Sequence, residues 1–380
     1  MSKARGMYAC LGVAAVVAVG LGTVGRAQQA TRPGPPDPPV IFLHYDYMVQ
    51  DVADAFSPAH SDAPYQASID LVVDSFKRRG IQVVVDHQHN IIPYHRVLGI
   101  PECMPGFVDC EPFADLAQLR AQYFDPHGHQ AWHYMIFAES VYDGNIDGNL
   151  VNGLAELPGQ TFVLGVGYEL RGCESDGCVR MEAATLMHEL GHNLDLRHGG
   201  GDDENFKPNY ISVMNYLFEN VGIRYAASPG STTVAGYRVD YSDHALRDLN
   251  ENSLDERVGL GGPPSDCDIS TYMPYWDNGN DYLRTMLIPS RGPVDWNQNG
   301  VIEQGVQFDA NFFDVVSEDW GGEPEFGVLH GFDDWTHVKA FLRTSEYVNH
   351  RVRPRAIVGC HHRGSTIEGT FRRPSERRRK

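Results

Sequence analysis

The order of apolar and polar positions predicts the elements. Residues 40–45 form an apolar run of strand length. Over 66–79, Ile69, Val72, Val73 and Phe76 recur at helical spacing, and Gly80 stops the pattern. Residues 81–85 are nearly all apolar, as in a strand buried on both faces of a parallel sheet. Strand, helix, strand in that order predicts a right-handed crossover. Further strands are expected at 132–137 and 161–165, and the next clear helix at 183–194. Residues 218–330, with many Gly, Pro, Asp and Asn, read as a loop-rich extension, and 333–348 as a closing helix. There is no internal repeat, so 40–350 reads as one domain with long decorations.

The ends differ from this body. Residues 1–27 carry Lys3 and Arg5, an apolar run over 11–24, and Gly25-Arg26-Ala27, the layout of a cleaved secretory signal peptide. The run is shorter than the ~20 residues that span a bilayer. An exported protein with no membrane association after cleavage is therefore expected. Residues 28–39 form a Pro-rich leader, and 351–380 a basic tail. Setting aside the three bases of residues 1–27 leaves 28 Lys and Arg against 50 Asp and Glu, a net −22. So acidic a surface argues against nucleic acid as a partner and suits calcium. Beyond Cys10, six cysteines remain, an even number that reads as disulfides in an exported chain. Fifteen pairings are open; proximity favours Cys103–Cys110 and Cys173–Cys178, leaving Cys267–Cys360 as a long-range clamp.

The chemistry concentrates in Thr185-Leu-Met-His188-Glu189-Leu-Gly-His192-Asn-Leu-Asp195-Leu-Arg-His198-Gly-Gly. At 100° per residue His188 and His192 project within about 40° of each other, one turn apart. Ala183, Leu186, Met187, Leu190 and Leu194 fall on the opposite face. One side of the helix packs on the core while the other presents two imidazoles, which is how a helix holds zinc. Glu189 is placed to reach water at such a metal. With 17 histidines in 380 residues a bare HExxH occurs by chance too readily, and His198 at a further fixed offset makes chance a poor explanation.

His-Glu-x-x-His with a third His after five more residues resembles the metzincin zinc peptidases. Ser212-Val213-Met214-Asn215-Tyr216 is similar to their Met-turn, and Tyr216 stands where the astacin and serralysin branches carry a metal-site Tyr. The resemblance covers about 40–217 plus the closing helix. It implies an α+β fold: a twisted mixed sheet with an antiparallel edge strand, an active-site helix, a Met-turn and a closing C-terminal helix. It also implies zinc on His188, His192 and His198, Glu189 as general base and Tyr216 steadying the oxyanion, in a secreted endopeptidase acting on protein or peptide. Two other readings are a catalytically inactive secreted binding protein of the same fold, and a zinc hydrolase of non-protein amides.

The family's helix-ending Gly is Asp195 here. Asp tolerates a left-handed backbone, so the turn can survive; a continued helix would instead bring Asp195 to the metal face as a rival third ligand. Asp295-x-Asn297-x-Asn299-Gly300 matches the start of a calcium loop, but its twelfth position is Val306, with Glu303 or Asp309 as substitutes. The acidic loop 199–204, His87, His89, His361 and His362 suggest no further metal site. Residues 28–40 hold no cysteine to cap a zinc and are too few for a folded propeptide, so latency is not expected. Substrate preference and oligomeric state are not legible.

Overall fold

The computed structural model describes residues 38–86, 90–103, 106, 109–124, 132–144, 150–272, 282–283, 285–311, 325–361 and 371–372. The signal-like segment, the leader through residue 37, His87, His89, His362 and the closing basic run lie outside them. Among the described residues no helix is long and apolar enough to cross a membrane.

The protein is α+β. The first strands are β1 (Val40–Gln50), β2 (His60–Ser61), β3 (Gln82–Val85), β4 (Ile91–Pro93), β5 (Val97–Gly99), β6 (Cys110–Pro112), β7 (Trp132–Phe137), β8 (Val141–Tyr142), β9 (Leu150–Leu157) and β10 (Thr161–Leu164). Helices α1 (Gln66–Arg78), α2 (Leu116–Tyr123), α3 (Gly167–Leu170) and α4 (Asp176–Asn193) are interspersed. β1 carries β3 and β4 in succession on one side and β7 on the other, all parallel, and β10 continues parallel to β7. β9 runs antiparallel to β10. β1, α1 and β3 follow in the expected strand, helix, strand order, the two strands paired in parallel and Ile69, Val72 and Phe76 of α1 buried. β1 continues five residues past its predicted end, because its alternating buried positions run on through Met48 and Gln50.

The extension contains β11 (Ile223–Ala226), β12 (Val234–Arg238), β13 (Leu249–Asn250), β14 (Leu254–Asp255), β15 (Asp268–Tyr272), β16 (Tyr282–Leu283), β17 (Met286–Pro289), β18 (Gln304–Val306) and β19 (Val328–Leu329). β12, β11, β15 and β17 make an antiparallel sheet. A separate apolar cluster, including Phe218, Leu260, Tyr272 and Trp296, gives this region its own core. The strands are two to five residues long between turns, so their composition reads as loop. The closing helix is broken in two: α5 (Asp334–Phe341), capped by Asp333, and α6 (Ser345–Val348), capped by Thr344. After α6 comes β20 (Ala356–His361), antiparallel to β9 on the side away from β10. β8 pairs with β9 on the β10 side, at Leu150 and Val151. β9, which the sequence did not announce as a strand, stands antiparallel beside the parallel set, and β20 covers its other side. β21 (Phe371–Arg372) pairs with β16.

Cys103–Cys110 and Cys173–Cys178 are disulfides. The expected Cys267–Cys360 bond is absent and both are free thiols. Cys360 is committed to β20, whereas Cys267 lies half-buried just ahead of β15, its thiol on the Ser265 carbonyl.

α4 starts seven residues before its predicted start and is buried from Glu182 through Asn193 on every face. Its C-terminus turns on Asp195, at φ 71°. The Leu196 amide donates to the Gly191 carbonyl at 2.9 Å and the Asp195 amide to that of His192 at 3.0 Å. This double closure satisfies carbonyls the helix leaves open, with Asp in the left-handed position that usually selects Gly. The helix end is anchored sideways as well. Asn193 donates to the Glu156 and Thr161 carbonyls, and its own carbonyl oxygen meets His133 Nδ1 at 3.1 Å.

Two outcomes follow. Asp195→Gly should be as stable as the parent or up to about 1 kcal/mol more stable, whereas Asp195→Ala should lose about 1 kcal/mol. Thermal denaturation checks this; equal stability of the Gly and Ala variants would remove the left-handed turn as the reason the helix stops here. Burial holds the fully enclosed His133 down at about 4, the Asn193 bond opposing. With the folded value below the ordinary 6.5, the folded state binds fewer protons in between. Stability should thus fall from pH 6.5 to 4 by about 3 kcal/mol from this ring alone. Denaturant titrations at pH 7 and 4.5 should show a smaller loss in His133→Gln than in the parent; equal losses would contradict the assignment.

Candidate metal centre

α4 supplies His188, Glu189 and His192, all with no exposed surface. His188 Nδ1 meets the Val213 carbonyl at 2.7 Å, and His192 Nδ1 the Leu196 carbonyl at 2.8 Å. A carbonyl only accepts, so both Nδ1 atoms carry hydrogen. Burial pushes both rings to lower pKa, His192 to about 4, so they are neutral and each Nε2 is a bare lone pair. These two lone pairs face each other at 3.0 Å. Neither has a proton to share, so the pair is repulsive unless a cation lies against both.

The supporting carbonyls come from the two features the sequence singled out. Leu196 is the residue just after the Asp195 turn, so the backbone reversal that ends α4 also orients His192. Val213 belongs to the turn over 212–216 that resembles a Met-turn in sequence. Met214 is fully buried beneath α4, and a Cβ on Gly191 would run into its sulfur. The turn is held by Asp334 at the start of α5, which accepts from the Tyr210 hydroxyl at 2.8 Å and the Ser212 hydroxyl at 2.5 Å. The closing helix therefore locks the loop that aims His188.

His198 joins the two helical histidines. Its ring centre is 5.3 Å from that of His188 and 4.9 Å from that of His192. Asp195 turns away, towards His337 at 3.7 Å and Arg355 at 3.5 Å, and does not compete as a ligand. The loop after His198 is fixed by Lys207, whose buried ammonium donates to the Gly199 carbonyl at 2.9 Å and to Asp202 at 2.8 Å. Asp203 pairs with Arg197. The acidic loop is thus spent on internal pairing. Tyr216 packs its ring 4.5 Å from His198 and 5.9 Å from His188.

Cys360 was not foreseen at this site. Its Sγ lies 2.9 Å from His188 Nε2, 3.5 Å from His192 Nε2 and 3.7 Å from His198 Nε2. One ligand atom from each of the four residues falls within 4.8 Å of every other. On one tetrahedral zinc, with Zn–N of about 2.0–2.1 Å and Zn–S of about 2.3 Å, N···N and N···S separations come to about 3.3 and 3.6 Å. Three imidazoles and a thiol at these spacings, all buried but the half-buried His198, fit zinc.

Glu189 points into the same space. Both its carboxylate oxygens are buried with no hydrogen bond, and burial pushes its pKa well up. Room for the carboxylate comes from Gly153 of β9, where a Cβ would collide with it. Glu219, also unforeseen, stands beside Glu189 and Cys360 within the same 4.8 Å limit, pushed up to about 8 by burial. Only the fold brings Glu219 and Cys360 here, since neither sits in a motif.

The expected calcium loop gathers no cage. The Asp295 carboxylate accepts from the Asn299 and Gly300 amides, and the Asn297 and Asn299 side-chain amides donate to Glu303. Val306, in the last position, is buried in the extension's apolar core, and Asp309 accepts from the Glu325 amide. Asx-turn bonding explains this sequence without an ion.

No protein-family model matches the chain, and no curated protein does. Among solved structures it is similar to an archaemetzincin from Methanopyrus kandleri, at 16% identity over 48% of this chain and 83% of that one, TM-score 0.28. It is also similar to a zinc-dependent peptidase from Methanocorpusculum labreanum, at 15% identity over 46% of this chain and 87% of that one, TM-score 0.30. At that identity and superposition the likeness bears on neither chemistry nor substrate.

Proposed function

We propose that this chain is a zinc-dependent endopeptidase of the metzincin type, exported from the cell. The observation that carries it is the pair of bare, buried Nε2 lone pairs at 3.0 Å, with His198 beside them and the unpartnered Glu189 carboxylate facing the same point. His188, His192 and His198 would hold the metal. A bound zinc supplies Lewis acidity and lowers the pKa of water on it to about 7.

The chain's own groups do the rest. Glu189 takes the proton of the attacking water and delivers it to the leaving amine. A buried carboxylate whose pKa is already raised is suited to hold that proton between the two steps. Tyr216 donates to the scissile carbonyl oxygen as charge builds there; its hydroxyl already donates to a backbone carbonyl at this place, that of Gly359, at 3.1 Å. β9 offers a ladder on which an extended peptide can lie, as β20 does, and this favours peptide over a small amide as substrate. Two disulfides suit an oxidising compartment.

Glu189→Gln should retain one zinc per chain, measured by metal analysis, while casein hydrolysis falls about 10²–10⁴-fold. A variant as active as the parent would sink the mechanism. Gly153→Ala, which crowds the Glu189 carboxylate and leaves the three histidines in place, should likewise keep zinc and lose at least tenfold in rate. Unchanged hydrolysis would mean that the carboxylate need not occupy the place it has here.

A further inference from the structure

β20 lies along β9 beside the candidate metal centre, on the ladder that the proposed reading gives to a peptide substrate. Its pairing with β9 is continuous: Ala356 with Leu157, Ile357 with Glu156, Val358 with Ala155, Gly359 with Leu154 and Cys360 with Gly153. The Gly359 carbonyl takes the Tyr216 hydroxyl bond, and the next residue puts its sulfur among the three imidazole nitrogens. We propose that residues 356–361 are a built-in competitor of substrate and that Cys360 is a fourth ligand of the metal centre, closing the position water would need. This rests on the zinc-peptidase reading above.

Several observations converge on the sulfur. A structural buried cysteine ordinarily packs as a small hydrophobe. Cys360 instead has three imidazole nitrogens within 3.7 Å, and Glu189 and Glu219 at its other side. Its separations from the nitrogens bracket the spacing of a thiolate and an imidazole on one tetrahedral zinc. No disulfide withdraws it. The Glu189 carboxylate, buried and without a hydrogen bond, is the acceptor at hand for the thiol proton when sulfur coordinates. On release the sulfur takes a proton back and water takes its place.

The segment is tethered for reversible occupancy. Residues 349–355 join it to α6, and Arg351, Arg353 and Arg355 there are exposed. So short a linker holds the strand at an effective concentration in the millimolar range, enough to keep the cleft filled.

The full chain, loaded with cobalt(II) in place of zinc, tests the proposal without relying on turnover. The parent should show a sulfur-to-cobalt charge-transfer band in the near ultraviolet. Cys360→Ala should bind one cobalt without that band, and as the zinc form should cleave casein roughly tenfold faster or more. Thiol titration of the parent should find one additional reactive cysteine once a chelator removes the metal, a measurement that needs no variant to fold. Cobalt held with no sulfur band, a thiol count indifferent to chelation, or equal rates for parent and variant would each overturn the proposal and leave the peptidase reading standing. Failure of the parent to bind any metal would end both.

Discussion

The carbonyls of Val213 and Leu196 decide the character of this site. Each takes the proton-bearing nitrogen of one imidazole, and so each forces the other nitrogen to present a lone pair to the interior. Much of the surrounding architecture serves to place those two oxygens. The left-handed Asp195 delivers one, immediately after the helix that carries its histidine. The turn over 212–216 delivers the other, and Asp334 holds that turn through Tyr210 and Ser212. In a water-excluded interior, two facing lone pairs are tolerated when a cation draws both. An ion bound here would couple its binding to folding, the free energy of one being available to the other.

Charge bookkeeping around the centre points the same way. Glu189, Glu219 and Cys360 are three acidic groups enclosed together, and burial raises the pKa of each. Buried carboxylates without a partner are expensive, and proteins normally neutralise them by protonation or by a metal. The adjacent imidazoles are neutral, so they supply no compensating charge. A divalent cation would.

How much of this was legible depended on how local the information was. The imidazole pair was readable because helical periodicity converts a spacing of four into a shared face. The Asp195 turn was readable because few residues other than Gly adopt φ near 70°, and the one present is among them. Strands β1, β3, β7 and β10 announced themselves as apolar runs. β9 did not, since Asn152, Gly153 and Glu156 interrupt it for reasons of the site: Gly153 makes room for Glu189, and Glu156 accepts from the Gln160 and Thr161 amides. The same blindness applied to Cys360. Counting six cysteines as three bonds follows from composition, but composition cannot see that β20 carries one of them onto the metal centre, some 160 residues along the chain from its histidines.

The expectation that nothing caps the metal considered only the chain before the first strand. A cap needs an extended segment, a free edge to pair with, and a donor atom at the residue that reaches the metal; it does not need to come from the N-terminus. β9 provides the edge, because its neighbour β10 uses only one side. Main-chain pairing is indifferent to side-chain identity, so the strand that follows α6 can occupy it as well as any substrate can. What separates this occupant from a substrate is the residue after Gly359. A peptide with an ordinary side chain there presents a carbonyl to Tyr216 and leaves the metal open, whereas here Gly359 presents that carbonyl and the Cys360 sulfur closes the position. Binding and blocking thus use one geometry, and a single sulfur atom distinguishes them.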